Sequence, residues 1–228
     1  EAIKNKKFII SDIAKKPATR NPDAPFSTST LQQTSSSIFG FGASRTMQIA
    51  QKLFQGIEIN GETVGLITYM RTDSTEISKE AIESYRTYLN NNFDSNYLPQ
   101  EIRTYKSKKA KNAQEAHEGI RPTDINLRPD DVSKFLDTDS LKLYKLIWKR
   151  ALASQMSSAI FERTALEISS EDNSIKLRAN GSIPKFDGFL NIYSEFKVKN
   201  EDSEKKNEDE GSEDEGSLPN VDLSTKIN

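Results

Sequence analysis

Tyr69, Arg71 and Asp73 stand two residues apart in the segment Gly65-Leu-Ile-Thr-Tyr-Met-Arg-Thr-Asp-Ser74. In an extended chain, a period of two puts Ile67, Tyr69, Arg71 and Asp73 on one face and Leu66, Thr68 and Met70 on the other. Successive residues on one face then lie about 7 Å apart. That pattern suits attack on a phosphodiester. A phenol ionises near pH 10, so forming phenolate at neutral pH costs about 4 kcal/mol. A fixed guanidinium lowers that cost and holds the charge that builds on the phosphorus centre. Arginine is better suited than lysine because its planar fork meets two phosphate oxygens together. Tyr-x-Arg is nevertheless common on half-exposed strands, and spacing alone does not separate a nucleophile from a surface tyrosine.

A second group surrounds the single histidine, His117, in Gln114-Glu-Ala-His-Glu-Gly-Ile-Arg-Pro-Thr-Asp124. His117 and Arg121 are four apart, so a helix would put them on one face, with Pro122 ending that helix. Together they would bind a phosphate, with protonation of the histidine strengthening the contact. The alternative is that His117 beside Glu118 is structural and that Arg121 serves local structure. Upstream, Arg103, Lys106, Lys108, Lys109 and Lys111 cluster around Tyr105. Single-strand binders combine such charge with aromatic platforms, although a solvated loop has the same composition. The hydroxyls of Ser27-Thr-Ser-Thr30 are placed to touch phosphates or, more economically, to cap a helix.

The elements that must carry these residues are mostly helical between residues 28 and 157. Thr30 followed by Gln33 reads as a capping box opening a helix that Gly40 and Gly42 stop. Ser44 reads as the cap of a second helix with Met47, Ala50, Leu53 and Phe54 along one side, and Ser78 as the cap of a third with Ile82, Tyr85 and Leu89 in a stripe. The most regular helix is predicted over residues 140–156, where Tyr144, Ile147, Trp148, Ala151 and Leu152 recur at helical spacing. Before this region, Phe8 to Ile13 suggest a short strand, and residues 16–25, with three prolines, an extended connector. After it, Thr164, Leu166 and Ile168, then Ile175, Leu177 and Ala179, alternate as strands around a turn at Glu171-Asp172-Asn173.

Of the 228 residues, 34% are hydrophobic and 29% charged. The net charge of −2 hides an uneven distribution. Residues 201–215 hold nine acids and two lysines, so that run carries −7 and the rest of the chain +5. Residues 200–217 are too polar to order themselves and read as a loop between strands. The absence of cysteine excludes disulfides and thiolate metal sites. No run of about 18 apolar residues suggests a membrane span. Asp137-Thr-Asp139 immediately precedes the long helix and reads as capping, and no metal site is expected in this chain. No Gly-x-x-x-x-Gly-Lys-Ser/Thr loop implies ATP. The start at Glu1, without a signal pattern, reads as a piece of a longer protein.

Thr68-Tyr-Met-Arg-Thr-Asp-Ser74 closely resembles the active-site sequence of bacterial type IA DNA topoisomerases. Four further blocks agree with that family in order. They are Ala24-Pro-Phe-Ser-Thr-Ser-Thr-Leu-Gln-Gln33, Arg45-Thr-Met-Gln-Ile-Ala-Gln-Lys-Leu-Phe54, the histidine block, and Leu143-Tyr-Lys-Leu-Ile-Trp-Lys-Arg150. Five ordered blocks, over about residues 16–188, are far more specific than any one of them. Tyrosine recombinases also form phosphotyrosine, but they carry His-x-x-Arg upstream of the tyrosine. Here His117 and Arg121 lie four apart and downstream of Tyr69.

The resemblance implies that Tyr69 forms a 5′-phosphotyrosine bond with single-stranded DNA and that Arg71 stabilises the scissile phosphate. It implies that His117 lies near the active site and binds or positions DNA. Beside it, Arg121 is a candidate for DNA or for local structure, Lys108, Lys109 and Lys111 are expected as a group to steer DNA towards the site, and Asp73 and Glu118 are candidates for active-site support; Asp73 alternatively orders the turn that follows. The implied fold is α+β: a helical, catabolite-activator-like domain (28–157) inserted into a β-rich arch (1–27 and 158–228). A Toprim domain carrying Mg2+ and a second DNA-binding domain belong to the rest of such an enzyme, and this piece alone is expected to be nearly inactive. The implied partners are single-stranded and negatively supercoiled DNA, in a monomeric cytoplasmic protein.

Overall fold

The computed structural model describes residues 7–105, 117–193 and 226–227. The chain divides into two compact units, one of residues 22–157 with 189–193 and one of the segments before and after them. The fold is mixed, with helices and an antiparallel sheet.

In the sheet unit the strands are β1 (Phe8–Arg20), β4 (Ala159–Ser170), β5 (Lys176–Phe186) and β6 (Lys226–Ile227), in the order β5-β4-β1-β6. The β4–β5 pair is the hairpin that alternation predicts, and Asn173 takes the left-handed turn conformation at φ 55°. β1 is much longer than the short strand read from residues 8–13. It runs through Pro17, which lies opposite Glu162. Proline is tolerated there because β6 reaches only Phe8 and Ile9, leaving that side of β1 without a partner among the described residues. The supposed connector is therefore mostly strand.

The helical unit contains α1 (Thr28–Phe39), α2 (Ala43–Gln55), α3 (Lys79–Asn92), the single-turn α4 (Pro129–Val132) and α5 (Thr138–Ala153). Its core gathers Leu31, Leu53, Tyr85, Leu89, Tyr144 and Ile147. The polar tips of the α5 aromatics are satisfied within the core. The Tyr144 hydroxyl donates to the Leu127 carbonyl at 2.6 Å and Trp148 Nε1 to the Ile125 carbonyl at 2.9 Å. Ser78 caps α3 and Asp137 caps α5, as read from the sequence. The first two caps differ from expectation. Ser27 caps α1 in a reciprocal box with Thr30, and α2 starts one residue after Gly42, without a side-chain cap. A small hairpin that helical spacing conceals joins α2 to the tyrosine segment. Its strands are β2 (Ile57–Ile59) and β3 (Glu62–Val64), with Asn60 and Gly61 at φ 52° and 90° in the turn.

Candidate active site

Among the described residues the tyrosine segment is not a strand of any sheet: it bends at Thr68 and Met70 and makes one isolated bridge, between Ile67 and Pro122. Alternation still governs most of it. Leu66, Met70 and Thr72 are buried, Tyr69 is half-buried, and Arg71 and Asp73 are exposed. Ile67 breaks the expected pattern, at 1% exposure, because the Pro122 bridge covers it.

Three stretches of chain pin this segment. From α2, the Leu53 carbonyl accepts the Leu66 amide at 2.8 Å. From the histidine block, the Arg121 carbonyl accepts the Thr68 amide at 2.9 Å and the Thr123 amide reaches the Leu66 carbonyl at 3.1 Å. The Thr68 hydroxyl adds a bond to the Gly119 carbonyl at 2.9 Å. From α1, the Thr28 amide donates to the Thr72 carbonyl at 2.9 Å, and the Thr28 hydroxyl bonds both Met70 and Thr72. Two glycines permit these approaches. A Cβ on Gly65 would stand 2.8 Å from the Phe54 carbonyl oxygen, and one on Gly119 would stand 3.2–3.3 Å from Pro25 and the Thr75 backbone.

Tyr69 lies between two rings. Phe54 meets it edge-on at 5.4 Å between centroids, and His117 lies on it at 5.0 Å with a 51° tilt. Phe54 is 37% exposed, so this trio faces solvent along part of its edge. Arg71 makes no hydrogen bond or ion pair among the described residues. Asp73 is likewise exposed and does not order the following turn. That turn is held instead by the Ser74 amide on the Thr72 hydroxyl at 3.0 Å and the Glu76 amide on the Ser74 hydroxyl at 3.1 Å.

The histidine block differs from the helix expected for it. Residues 117–122 are extended, with bridges Phe26–Ile120 and Ile67–Pro122. Pro122 and the closeness of Gly119 to Pro25 favour a strand-like path over a helical turn. His117 is therefore exposed beside Tyr69, whereas Arg121 turns inward. The Arg121 guanidinium is 13% exposed, donates to Glu118 at 2.5 Å and reaches the Pro122 carbonyl at 3.0 Å. Partial burial alone would raise the Glu118 carboxyl. The Arg121 hydrogen bond and charge, helped by the Ser78 amide and hydroxyl at the start of α3, outweigh it and hold the group below the usual carboxylate range. Burial likewise pushes the Tyr85 phenol up against the opposing charge of Arg121. Arg121 and Glu118 thus form a partly buried strut between the histidine block and α3, and neither points its charge freely to solvent.

Of the basic approach, Lys106, Lys108, Lys109 and Lys111 lie outside the described residues. Tyr105 is not an open platform: its hydroxyl donates to the Ser154 carbonyl at 2.9 Å, and burial raises its pKa against the opposing Arg103 charge. Arg103 donates to the Met156 carbonyl at 2.8 Å. Among the described residues no group of three or more His, Cys, Asp or Glu side chains can hold a metal ion, and no helix is long and apolar enough to cross a membrane. Sequence reasoning missed Thr28, Phe54 and Gly65 as parts of the site. Their only sequence signal is that each lies in or beside a block already singled out for another reason.

The α+β fold of this chain is similar to that of a solved topoisomerase. A solved structure titled as full-length topoisomerase I from Thermotoga maritima superposes on 94% of this chain and 32% of its own, with a TM-score of 0.73 and 33% identity. The family model described as DNA topoisomerase matches residues 1–226. "DNA topoisomerase 1" of Rickettsia bellii is 48% identical over 195 residues, 86% of this chain and 24% of that protein. The protein of the same name from Campylobacter jejuni is 44% identical over 196 residues, covering 86% and 28%. The chain belongs to the bacterial type IA DNA topoisomerase family, and it spans about a quarter of the length of these curated relatives.

Proposed function

We propose that the full-length protein carrying this chain changes DNA topology by transient single-strand cleavage and that Tyr69 is its nucleophile. The Tyr69 hydroxyl gives up its proton to solvent as its oxygen attacks phosphorus and a new O–P bond forms. The bond from phosphorus to the 3′ oxygen breaks, and that oxygen takes up a proton as the free 3′-hydroxyl. The strand is left as a 5′-phosphotyrosine ester, and attack by the same 3′-hydroxyl reverses the step after another strand has passed. Because the ester keeps the energy of the broken phosphodiester, ATP is not needed.

The observation that carries this reading is the half-exposed Tyr69 ring, held between Phe54 and His117 on a pinned segment with the unpaired Arg71 two residues on. Arg71 neutralises charge on the scissile phosphate, and His117 contacts the backbone of the bound strand. Arg121 supports the block that carries His117 and is not assigned a DNA contact. Magnesium would be held by an acidic domain elsewhere in the polypeptide, and this chain's residues carry no step through it. The chain by itself is proposed to be nearly inactive, with single-stranded and negatively supercoiled DNA as the partners of the whole enzyme.

Tyr69→Phe in the full-length protein tests the assignment. Covalent capture of a labelled single strand after denaturant quench should vanish while strand binding persists. Capture that survives the substitution refutes Tyr69 as nucleophile. Wild-type protein that binds DNA without ever forming the covalent species would favour a purely binding module in which Tyr69 stacks on a base.

A further inference from the structure

The Thr28 side chain, at the first turn of α1, makes contacts that helix capping does not explain. Ser27 and Thr30 already satisfy the end of the helix through their reciprocal bonds. The Thr28 hydroxyl instead crosses to a segment more than forty positions away. It accepts the Thr72 amide at 2.8 Å and shares its proton between the Met70 carbonyl at 2.8 Å and the Thr72 carbonyl at 3.1 Å. The Thr28 amide bonds the same Thr72 carbonyl at 2.9 Å. The two residues so held are the neighbours of Arg71 on either side. Arg71 itself is exposed and has no side-chain partner among the described residues. Its direction is therefore set largely by its backbone, and the Thr28 hydroxyl bonds the peptide groups on both sides of it. Thr72 extends the link, since its own hydroxyl donates to the His117 carbonyl at 3.4 Å.

We infer that Thr28 is a positioning residue for the reaction: its hydroxyl fixes the peptide units flanking Arg71 and so aims the guanidinium at the phosphate. This rests on the role proposed above for Arg71. A threonine hydroxyl suits the task because it accepts and donates at once, and its β-branch restricts the rotamer that delivers both. Backbone displacement of even a fraction of an ångström would misaim the fork, and catalysis is steeply sensitive to such misplacement.

The test is a double-mutant cycle in the full-length protein, read as the rate of covalent capture of a single strand, with strand affinity and thermal unfolding measured alongside. Thr28→Val keeps the shape and removes the hydroxyl, and should slow capture roughly ten- to a hundredfold while leaving affinity near wild type and lowering the unfolding temperature modestly, because the Thr72 amide loses its partner. Thr28→Ser keeps the hydroxyl and should restore most of the rate. In an Arg71→Ala background Thr28→Val should add little, because residues acting through one another are not additive. A loss that multiplies fully with Arg71→Ala, or a silent Thr28→Val beside a damaging Arg71→Ala, overturns the inference and leaves the Arg71 assignment intact. If Arg71→Ala alone is silent, the Arg71 assignment and this inference both fall. Should Thr28→Val fold poorly, Thr28→Ala removes the same hydroxyl without the branch and enters the same cycle.

Discussion

Gly65→Ala is a one-carbon change whose effect on the tyrosine segment can be worked from the coordinates. The added Cβ would sit 2.8 Å from the Phe54 carbonyl oxygen, a backbone atom at the end of α2 that cannot rotate away. Comfortable carbon–oxygen approach needs about 3.3 Å or more, so the segment must retreat by roughly half an ångström. The next residue carries the bond that opposes this, the Leu66 amide on the Leu53 carbonyl at 2.8 Å. The same retreat stretches it to about 3.3 Å, beyond the normal range. Overpacking of this kind costs about 1–3 kcal/mol. Because each 1.4 kcal/mol is about a tenfold change in an equilibrium, exchange of the Leu66 amide with deuterated water should accelerate about 5- to 150-fold. Tyr69 rides on the displaced backbone, so covalent capture should fall more than strand binding does. Unchanged Leu66 exchange together with unchanged capture would show that the segment absorbs the carbon elsewhere and that its placement is not set by contact with α2.

Two further outcomes follow from neighbouring contacts. Phe54→Ala removes a ring contact worth about 0.5–1.5 kcal/mol beyond area burial and frees one side of the Tyr69 ring; capture should drop, with Phe54→Tyr retaining more activity than Phe54→Leu, and equal losses in the two would deny an aromatic role. Glu118→Gln should cost about 1 kcal/mol at neutral pH, a figure held low because the carboxylate is one-third exposed and screened. The Glu118 pKa is depressed in the folded state, so its stabilisation is present above the unfolded value near 4.3 and is lost as pH falls through the lower folded value. The unfolding-temperature gap between wild type and variant should therefore close in acid, and a gap that widens below pH 4 would reverse the assignment.

Much of the helical unit is legible without coordinates because its signals are local. Ser78 and Asp137 cap the helices they precede, the Ile82–Tyr85–Leu89 stripe is buried, and Glu171-Asp172-Asn173 turns the β4–β5 hairpin. Apart from the shifted caps of α1 and α2, the failures involve distant partners or short elements. Pro17 belongs to a strand only because one side of β1 is open there. Three-residue strands are too short to show a period, although Asn60-Gly61 was a turn signal in plain view. The histidine block looked helical from the four-residue spacing of His117 and Arg121, but its backbone is committed to Phe26 and Ile67. In the site, alternation correctly separates exposed Arg71 and Asp73 from buried Met70 and Thr72. It cannot show that Thr28 holds Arg71's neighbours or that Phe54 lies against Tyr69, because these contacts arise only when α1 and α2 are packed. The inward turn of Arg121 was equally invisible, since a surface arginine and a partly buried strut have the same spelling.

A segment outside regular secondary structure is ordinarily among the more mobile parts of a protein, yet here it bears the residue proposed as nucleophile. Ordering each such residue costs about 1–2 kcal/mol of backbone entropy, and each hydrogen bond returns about 1 kcal/mol net. Bonds alone therefore do not hold the segment; the buried side chains of Leu66, Ile67 and Met70, all at 0–1% exposure, must supply the remainder. This division of labour explains the alternation. The even-numbered positions anchor, with Ile67 recruited by its bridge, while Tyr69 stays half-buried and Arg71 exposed. All the anchors belong to residues 22–157, the helical unit itself. The placement of the Tyr69 phenol and the Arg71 guanidinium is thus a property of that unit's own packing.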